Sequence, residues 1–204
     1  MKHIYKIKIM QEKNLSPTES LQLIQRMIDV AKNKVTETGF HLMLWGFLVV
    51  LASLTQYYLI RSGFENSSNL VWAIMPVIGI PVALIYEYKR GKKHQTTTKF
   101  DKLYGFLWLG FGITLVITIF ISISNHVNPI AFILALVGLT TFVSAAIYKF
   151  MPLLIGSIVF WMAGIFCAFV AVPEQLLIYA GAIFIGYVIP GLLLWKKSKM
   201  KTNV

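Results

Sequence analysis

No Asp, Glu, Lys or Arg stands near the middle of any of the six long apolar runs that fill residues 40 to 195. An ionisable side chain at mid-membrane is expensive and is normally kept only for function. Its absence argues against proton coupling through a carboxylate. Other chemistry is missing too. Ser157 has no histidine at matching depth to serve as its base, and the metalloprotease and phosphoryl-transfer signatures do not occur. The four histidines, His3, His41, His94 and His126, stand at boundaries or in loops, with none at helical spacing to another ligand. A zinc motif and a haem-ligating pair are therefore not expected. Cys167 is the single cysteine, which excludes an internal disulfide and implies no thiol chemistry. These gaps predict a protein that is not an enzyme and needs no cofactor or metal.

Charge of any kind is scarce. Charged residues make up 13% of the chain and hydrophobic ones 57%, against about 25% charged in ordinary soluble domains. The mean hydropathy is +0.70. A membrane-spanning helix takes roughly 20 mainly apolar residues, and six stretches come near that length: Phe40–Ile60, Asn69–Tyr86, Leu103–Ser124, Pro129–Tyr148, Pro152–Val172 and Gln175–Trp195. The expected fold is all-α and polytopic. Six transmembrane helices form antiparallel hairpins over residues 39–196, after an arm and amphipathic helix in residues 1–38 and before a basic tail in residues 197–204. Together the spans leave no room for a soluble catalytic domain.

A net charge of +11 invites a nucleic-acid reading, but its distribution argues for orientation instead. With ends and loops assigned alternately to two sides, every one of the 19 Lys and Arg except Arg61 falls on the side of the N-terminus. That asymmetry is the positive-inside pattern. It predicts cytoplasmic termini and basic contacts to anionic lipid headgroups, and no nucleic-acid partner. Met1–Asn14 lacks an apolar core and a cleavage site, so the first span is expected to act as an uncleaved anchor. Tyr57, Tyr58 and Trp72 fall at the outer boundary; Tyr86, Tyr88, Tyr104, Tyr148 and Trp195 fall at the inner one.

The segment before the first span divides in two. Lys2–Met10 interleaves basic residues with Ile4, Ile7 and Ile9, in the manner of a short strand or a surface arm. Ser16-Pro17-Thr18-Glu19 then forms a capping box with proline at the first helical position. A helix from about Pro17 to Glu37 follows, its stripe made by Leu21, Ile24, Met27, Ile28, Ala31 and Val35. Helices that lie on membranes are rich in Lys and Arg on the polar face. Here Arg26, Lys32 and Lys34 are balanced by Glu19, Asp29 and Glu37, which favours a protein surface over the lipid interface. A second copy, the molecule's own cytoplasmic face and a separate protein all fit.

Within the spans, several features admit a structural or a functional reading. Gly105, Gly110 and Gly112, Gly164 with Ala168, and Ala182 with Gly186 permit close helix approach. Pro76, Pro81 and Pro190 each remove a helical hydrogen bond, and broken helices of this kind bind substrates in some transporters. Thr55 and Gln56 lie late in the first span. Thr114, Thr118 and Ser122, spaced by four, make one polar stripe on the third. Asn128-Pro129 and Pro152 mark helix starts, and Pro173-Glu174 separates the last two spans. Because the later links are short, the last four spans are expected to form a compact bundle, with the first two as a separable layer.

Leu15-Ser16-Pro17-Thr18-Glu19-Ser20-Leu21, Leu44-Trp45-Gly46 and the turn Tyr148-Lys149-Phe150 resemble a group of small bacterial six-span inner-membrane proteins of unassigned function. The resemblance runs the whole length and implies a protein of the bacterial cytoplasmic membrane with a cytoplasmic lead helix. Its motifs are a cap, a packing site and a turn, so it implies no catalytic residues.

Two functions follow as expectations. In the first, the Leu21–Val35 stripe and the basic loop Glu87–Lys102 dock or regulate a cytoplasmic or membrane partner. In the second, the protein is a carrier or channel for a neutral or apolar solute, with a pathway near Pro76, Thr114, Thr118 and Pro190.

Overall fold

The computed structural model describes the backbone of residues 17–91 and 99–200, and side chains over 39–89 and 103–196. The arm at Lys2–Met10, the side chain of Ser16, most of the basic loop and the extreme tail lie outside these residues. All described elements are helical. They are α1 (Pro17–Arg61), α2 (Glu65–Ser68), α3 (Leu70–Gly91), α4 (Lys99–Ser124), α5 (Ile130–Tyr148), α6 (Met151–Cys167) and α7 (Val172–Ile183), which passes through a π-turn at Phe184–Val188 into α8 (Ile189–Met200).

Among the described residues five stretches are long and apolar enough to cross a membrane: Gly39–Arg61, Glu65–Lys89, Leu103–Ser124, Ile130–Tyr148 and Val172–Lys196. α6 is the short one, at 17 residues, or about 26 Å at 1.5 Å per residue. Its early end has a visible cause. The Gln175 side chain, reaching back from α7, donates from Nε2 to the carbonyls of Cys167 at 2.9 Å and Val170 at 2.7 Å. Carbonyls at a helix end need partners, and these satisfy them within a tight turn. Pro173 accordingly stands in the first turn of α7 instead of separating two spans. The outward surface is rich in large apolar side chains, with Leu51, Val77, Phe106, Val116 and Phe120 all exposed. Soluble monomers rarely expose large contiguous apolar patches, whereas a lipid-facing surface needs them.

Packing departs from the expected order. α1 packs most extensively on α7 and α8, so the first span is part of the central bundle and not of a separable layer. α5 and α6 form the tightest neighbouring pair and lie against the π-turn and α7. α3 rests chiefly on α1, and α4 chiefly on α5. The core, with Leu134, Leu153, Phe160, Leu176 and Ile183 fully buried, therefore sits between α5, α6 and α7.

Glycine determines where the backbones meet. A Cβ on Gly156 would stand 2.8 Å from the carbonyl oxygen of Gly186, and one on Gly191 would stand 3.0 Å from that of Gly39. The last helix thus touches α6 on one side and α1 on the other through backbone. Pro190 lies just beyond. Lacking an N–H, it cannot bond the Gly186 carbonyl four residues earlier, and the ladder widens to a π-turn at this place. The Gly186 carbonyl oxygen faces Gly156. By contrast, among the described residues nothing lies within 4 Å of a Cβ built on Gly105, Gly110 or Gly112, so these glycines are not where α4 meets its neighbour.

Among the described residues two non-glycine residues adopt left-handed backbone, His126 (φ 55°) and Lys149 (φ 49°). Lys149 ends α5, its N–H and that of Phe150 both bonding the Ala145 carbonyl. A left-handed L-residue costs roughly 1–2 kcal/mol, and glycine normally takes this place. Gly63 (φ 86°) does so at the end of α1, where Phe64 N–H bonds the Leu59 carbonyl at 2.9 Å.

Candidate functional site

Two places in the described structure combine a cavity with polar chemistry, and they lie at opposite ends of the bundle. The end that holds the start of α1 also holds the end of α3, the α5–α6 turn and the end of α8. The far end holds the other three connections.

At the far end, α3 is tied to α1 by a chain of side-chain hydrogen bonds. Trp72 Nε1–H donates to Gln56 Oε1 at 2.6 Å, and Gln56 Nε2 donates to Asn69 Oδ1 at 2.7 Å. Indole offers a donor only, so it fixes which way the Gln56 amide faces. Gln56 is buried, and Ser68 beside it is buried with its hydroxyl donating to the Glu65 carbonyl at 2.8 Å. These residues border a cavity of about 240 Å³ whose remaining walls are Ile60, Glu65, Asn128, Val172 and Pro173. Asn128 Oδ1 accepts from the Ile130 N–H at 2.9 Å, forming the start of α5 as its sequence predicts. The rim carries an ion pair, Arg61 with Glu174, and the Arg61 guanidinium lies 5.6 Å from the centre of the Tyr57 ring. All three far-side connections reach this cavity.

At the near end, α3 is held to α1 again. Phe40 stacks on Tyr86 with ring centres 3.6 Å apart, and His41 Nε2 lies 2.6 Å from Glu87 Oε1. Between α4 and α5 a larger groove of about 650 Å³ is walled by Leu103, Phe106, Leu107, Val143, Ala146 and Ile147, with Lys149 at its end. Tyr104 packs edge-on against Tyr148 at 5.2 Å between ring centres.

The residues proposed from sequence for a solute pathway do not come together. Pro76 is half-buried on α3, and the helix continues through it and through Pro81. Thr114 is exposed and uses its hydroxyl on the Gly110 carbonyl at 2.8 Å. Thr118 is half-buried and Ser122 buried, both on α4. Pro190 is fully buried in α8. α3, α4 and α8 pack chiefly against different partners, and neither cavity is lined by any of these four residues. The stripe Leu21, Ile24, Met27, Ile28, Ala31 and Val35 has helical backbone throughout, while its side chains lie outside the described residues.

Sequence reasoning noted Gln56 and Trp72 separately, as a late polar residue and an interfacial aromatic, and missed that they bond each other. The available signal was an uncharged amide inside an apolar run, which needs a partner once it leaves water. Two buried hydroxyls elsewhere find local acceptors, Thr140 on the Leu136 carbonyl and Ser144 on the Thr140 carbonyl, whereas the buried Ser53 hydroxyl has no partner among the described residues. Thr141 Oγ1 and Tyr187 Oη, 3.2 Å apart, link α5 to the π-turn. Among the described residues no three His, Cys, Asp or Glu side chains converge. No family model, no curated protein and no solved structure matches the chain.

Proposed function

We propose that this is a non-catalytic integral protein of the bacterial cytoplasmic membrane, spanning it six times with both ends inside, that docks or regulates a protein partner through the first half of α1. The observation that carries this reading is the continuity of α1. Its 45 residues run unbroken from Pro17 to Arg61, while the membrane-compatible stretch starts only at Gly39. About 22 residues, roughly 33 Å of helix, therefore precede the membrane-compatible stretch within the same helix, and we read them as a projection from the bundle. The projection is well anchored. Where it leaves the bundle, Gly39 lies against Gly191, Phe40 stacks on Tyr86 and His41 bonds Glu87. A helix held so at its base presents the Leu21–Val35 stripe on a stiff arm, and the near-neutral polar face suits a protein better than a headgroup layer. The partner is a cytoplasmic protein or a second copy of the chain. Chemical crosslinking in native membranes tests it: a defined adduct should form through the arm and be lost in Ile24→Asp/Ile28→Asp, with membrane insertion unchanged.

A second reading, a carrier or channel for a small neutral solute, is supported by the far-side cavity bordered by Gln56, Asn69 and Asn128. Flux into proteoliposomes that falls with Asn69→Leu and is indifferent to removal of residues 1–36 would favour it over docking.

A further inference from the structure

The groove between α4 and α5 differs from the rest of the lipid-facing surface in three ways. First, it is a concavity of about 650 Å³ and not a ridge of side chains, within the size range of about 300–1,000 Å³ usual for small-molecule sites. Second, its walls are Leu103, Phe106 and Leu107 on one side and Val143, Ala146 and Ile147 on the other, and Lys149 at its near-side end is the one charged residue among those that line it. Third, Lys149 stands in left-handed backbone, where glycine would fit without strain. Among the described residues no carboxylate pairs with it. A cation kept at a strained turn, at the mouth of an apolar slot, is complementary to a molecule with a negative head and a hydrocarbon tail. Strained residues that persist at such places direct attention to function.

We propose that this groove binds one anionic phospholipid, an acyl chain lying between α4 and α5 and the headgroup phosphate held by Lys149. The proposal is independent of the docking reading and rests only on the membrane placement of the bundle. α4 packs chiefly on α5, so a chain seated here fills a space that no other helix closes. Interior packing is otherwise dense and tolerates few voids. The lipid thereby becomes part of what holds the outlying α4 to the bundle. The near side is also where the cationic side chains gather, which raises the local concentration of anionic lipid before one is selected.

The test uses the full chain in mild detergent, titrated with phosphatidylglycerol or with phosphatidylcholine of the same acyl chains and read by native mass spectrometry. The first phosphatidylglycerol molecule should bind about fivefold more tightly than phosphatidylcholine, the worth of one basic side chain beside an anionic headgroup. Lys149→Gly should bring that ratio to about one while raising the unfolding temperature without lipid, because glycine relieves the left-handed strain. Ala146→Trp, which fills the groove from its exposed edge, should weaken both lipids alike. Lys89→Gln, at an exposed lysine on the same side, should leave the ratio unchanged. A Lys149→Gly variant that keeps the preference overturns the proposal, as does a Lys89→Gln variant that loses it equally. An Ala146→Trp variant that changes the oligomeric mass and not the lipid affinity assigns the groove to a second copy and also overturns it.

Discussion

The carbonyl oxygen of Gly186 lies against Gly156, close enough that a Cβ on the latter would stand 2.8 Å away. The contact exists because Gly156 has no side chain to hold the backbones apart. Gly156→Val should therefore be costly, since the new atoms meet backbone and not a flexible side chain. A loss of about 1–3 kcal/mol is expected from overpacking. Gly110→Ala on α4, where a Cβ meets open space, should be neutral or gain about 0.5–1 kcal/mol of helix stability. Thermal unfolding in one detergent, run on both variants, measures the difference.

The Trp72–Gln56–Asn69 chain yields a second expectation. Gln56→Leu leaves the indole N–H of Trp72 and the side-chain amide oxygen of Asn69 without their partner, at a cost of about 1–3 kcal/mol. Trp72→Phe removes only one donor and should cost less. The double variant should be more stable than the sum of the two single effects predicts, because the unpaired indole is gone. Strict additivity would show that the two side chains do not interact.

The long apolar helices were legible in the sequence because an apolar surrounding leaves a mark on every residue: the expected stretches Leu103–Ser124 and Pro129–Tyr148 match the apolar helical stretches Leu103–Ser124 and Ile130–Tyr148. Capping chemistry was legible where it is local, as at Asn128-Pro129 and Pro152. What could not be read was which span meets which. Lipid-facing and helix-facing surfaces are equally apolar, so hydrophobic patterning does not separate them, and the small residues that do are ambiguous. Gly110 and Gly186 look alike in sequence, yet one faces open space and the other the Phe160 ring. The short links after residue 124 implied a four-span bundle, but α1 replaced α4 at its centre, since Gly39 meets Gly191 and nothing comparable anchors α4. The candidate site suffered likewise. Pro76, Thr114, Thr118 and Pro190 were joined by chemistry and not by any constraint on distance. Gln56 and Trp72, sixteen positions apart, were joined by a bond that no periodicity encodes.

Orientation is open to a direct check that the single cysteine makes simple. Cys167 is buried, and a Cys167→Ala background provides a cysteine-free chain. A cysteine placed at Glu65 should react with a membrane-impermeant maleimide added to intact cells. Cysteines at Lys89 or Lys196 should react only after permeabilisation. The reverse pattern would overturn the placement of both termini in the cytoplasm.

The anchorage of the projecting arm makes a separate prediction. Gly39→Leu places a side chain where Gly191 and Trp195 already stand, so α1 must shift where it leaves the bundle. Partner affinity should fall even though the Leu21–Val35 stripe is untouched, whereas Gly105→Ala should leave it unchanged. Equal affinity for both variants would show that the arm acts as a tethered peptide, with no need of a rigid base.

The most direct test of the docking account is site-specific photocrosslinking in living cells, with benzoylphenylalanine placed in turn at Ile28, on the apolar stripe, and at Lys32, off it. The account predicts one discrete protein adduct from Ile28, either a dimer of this chain or a single heterologous species, and little or none from Lys32. Adducts to lipid alone from Ile28, or equal and diffuse labelling from both positions, would contradict it.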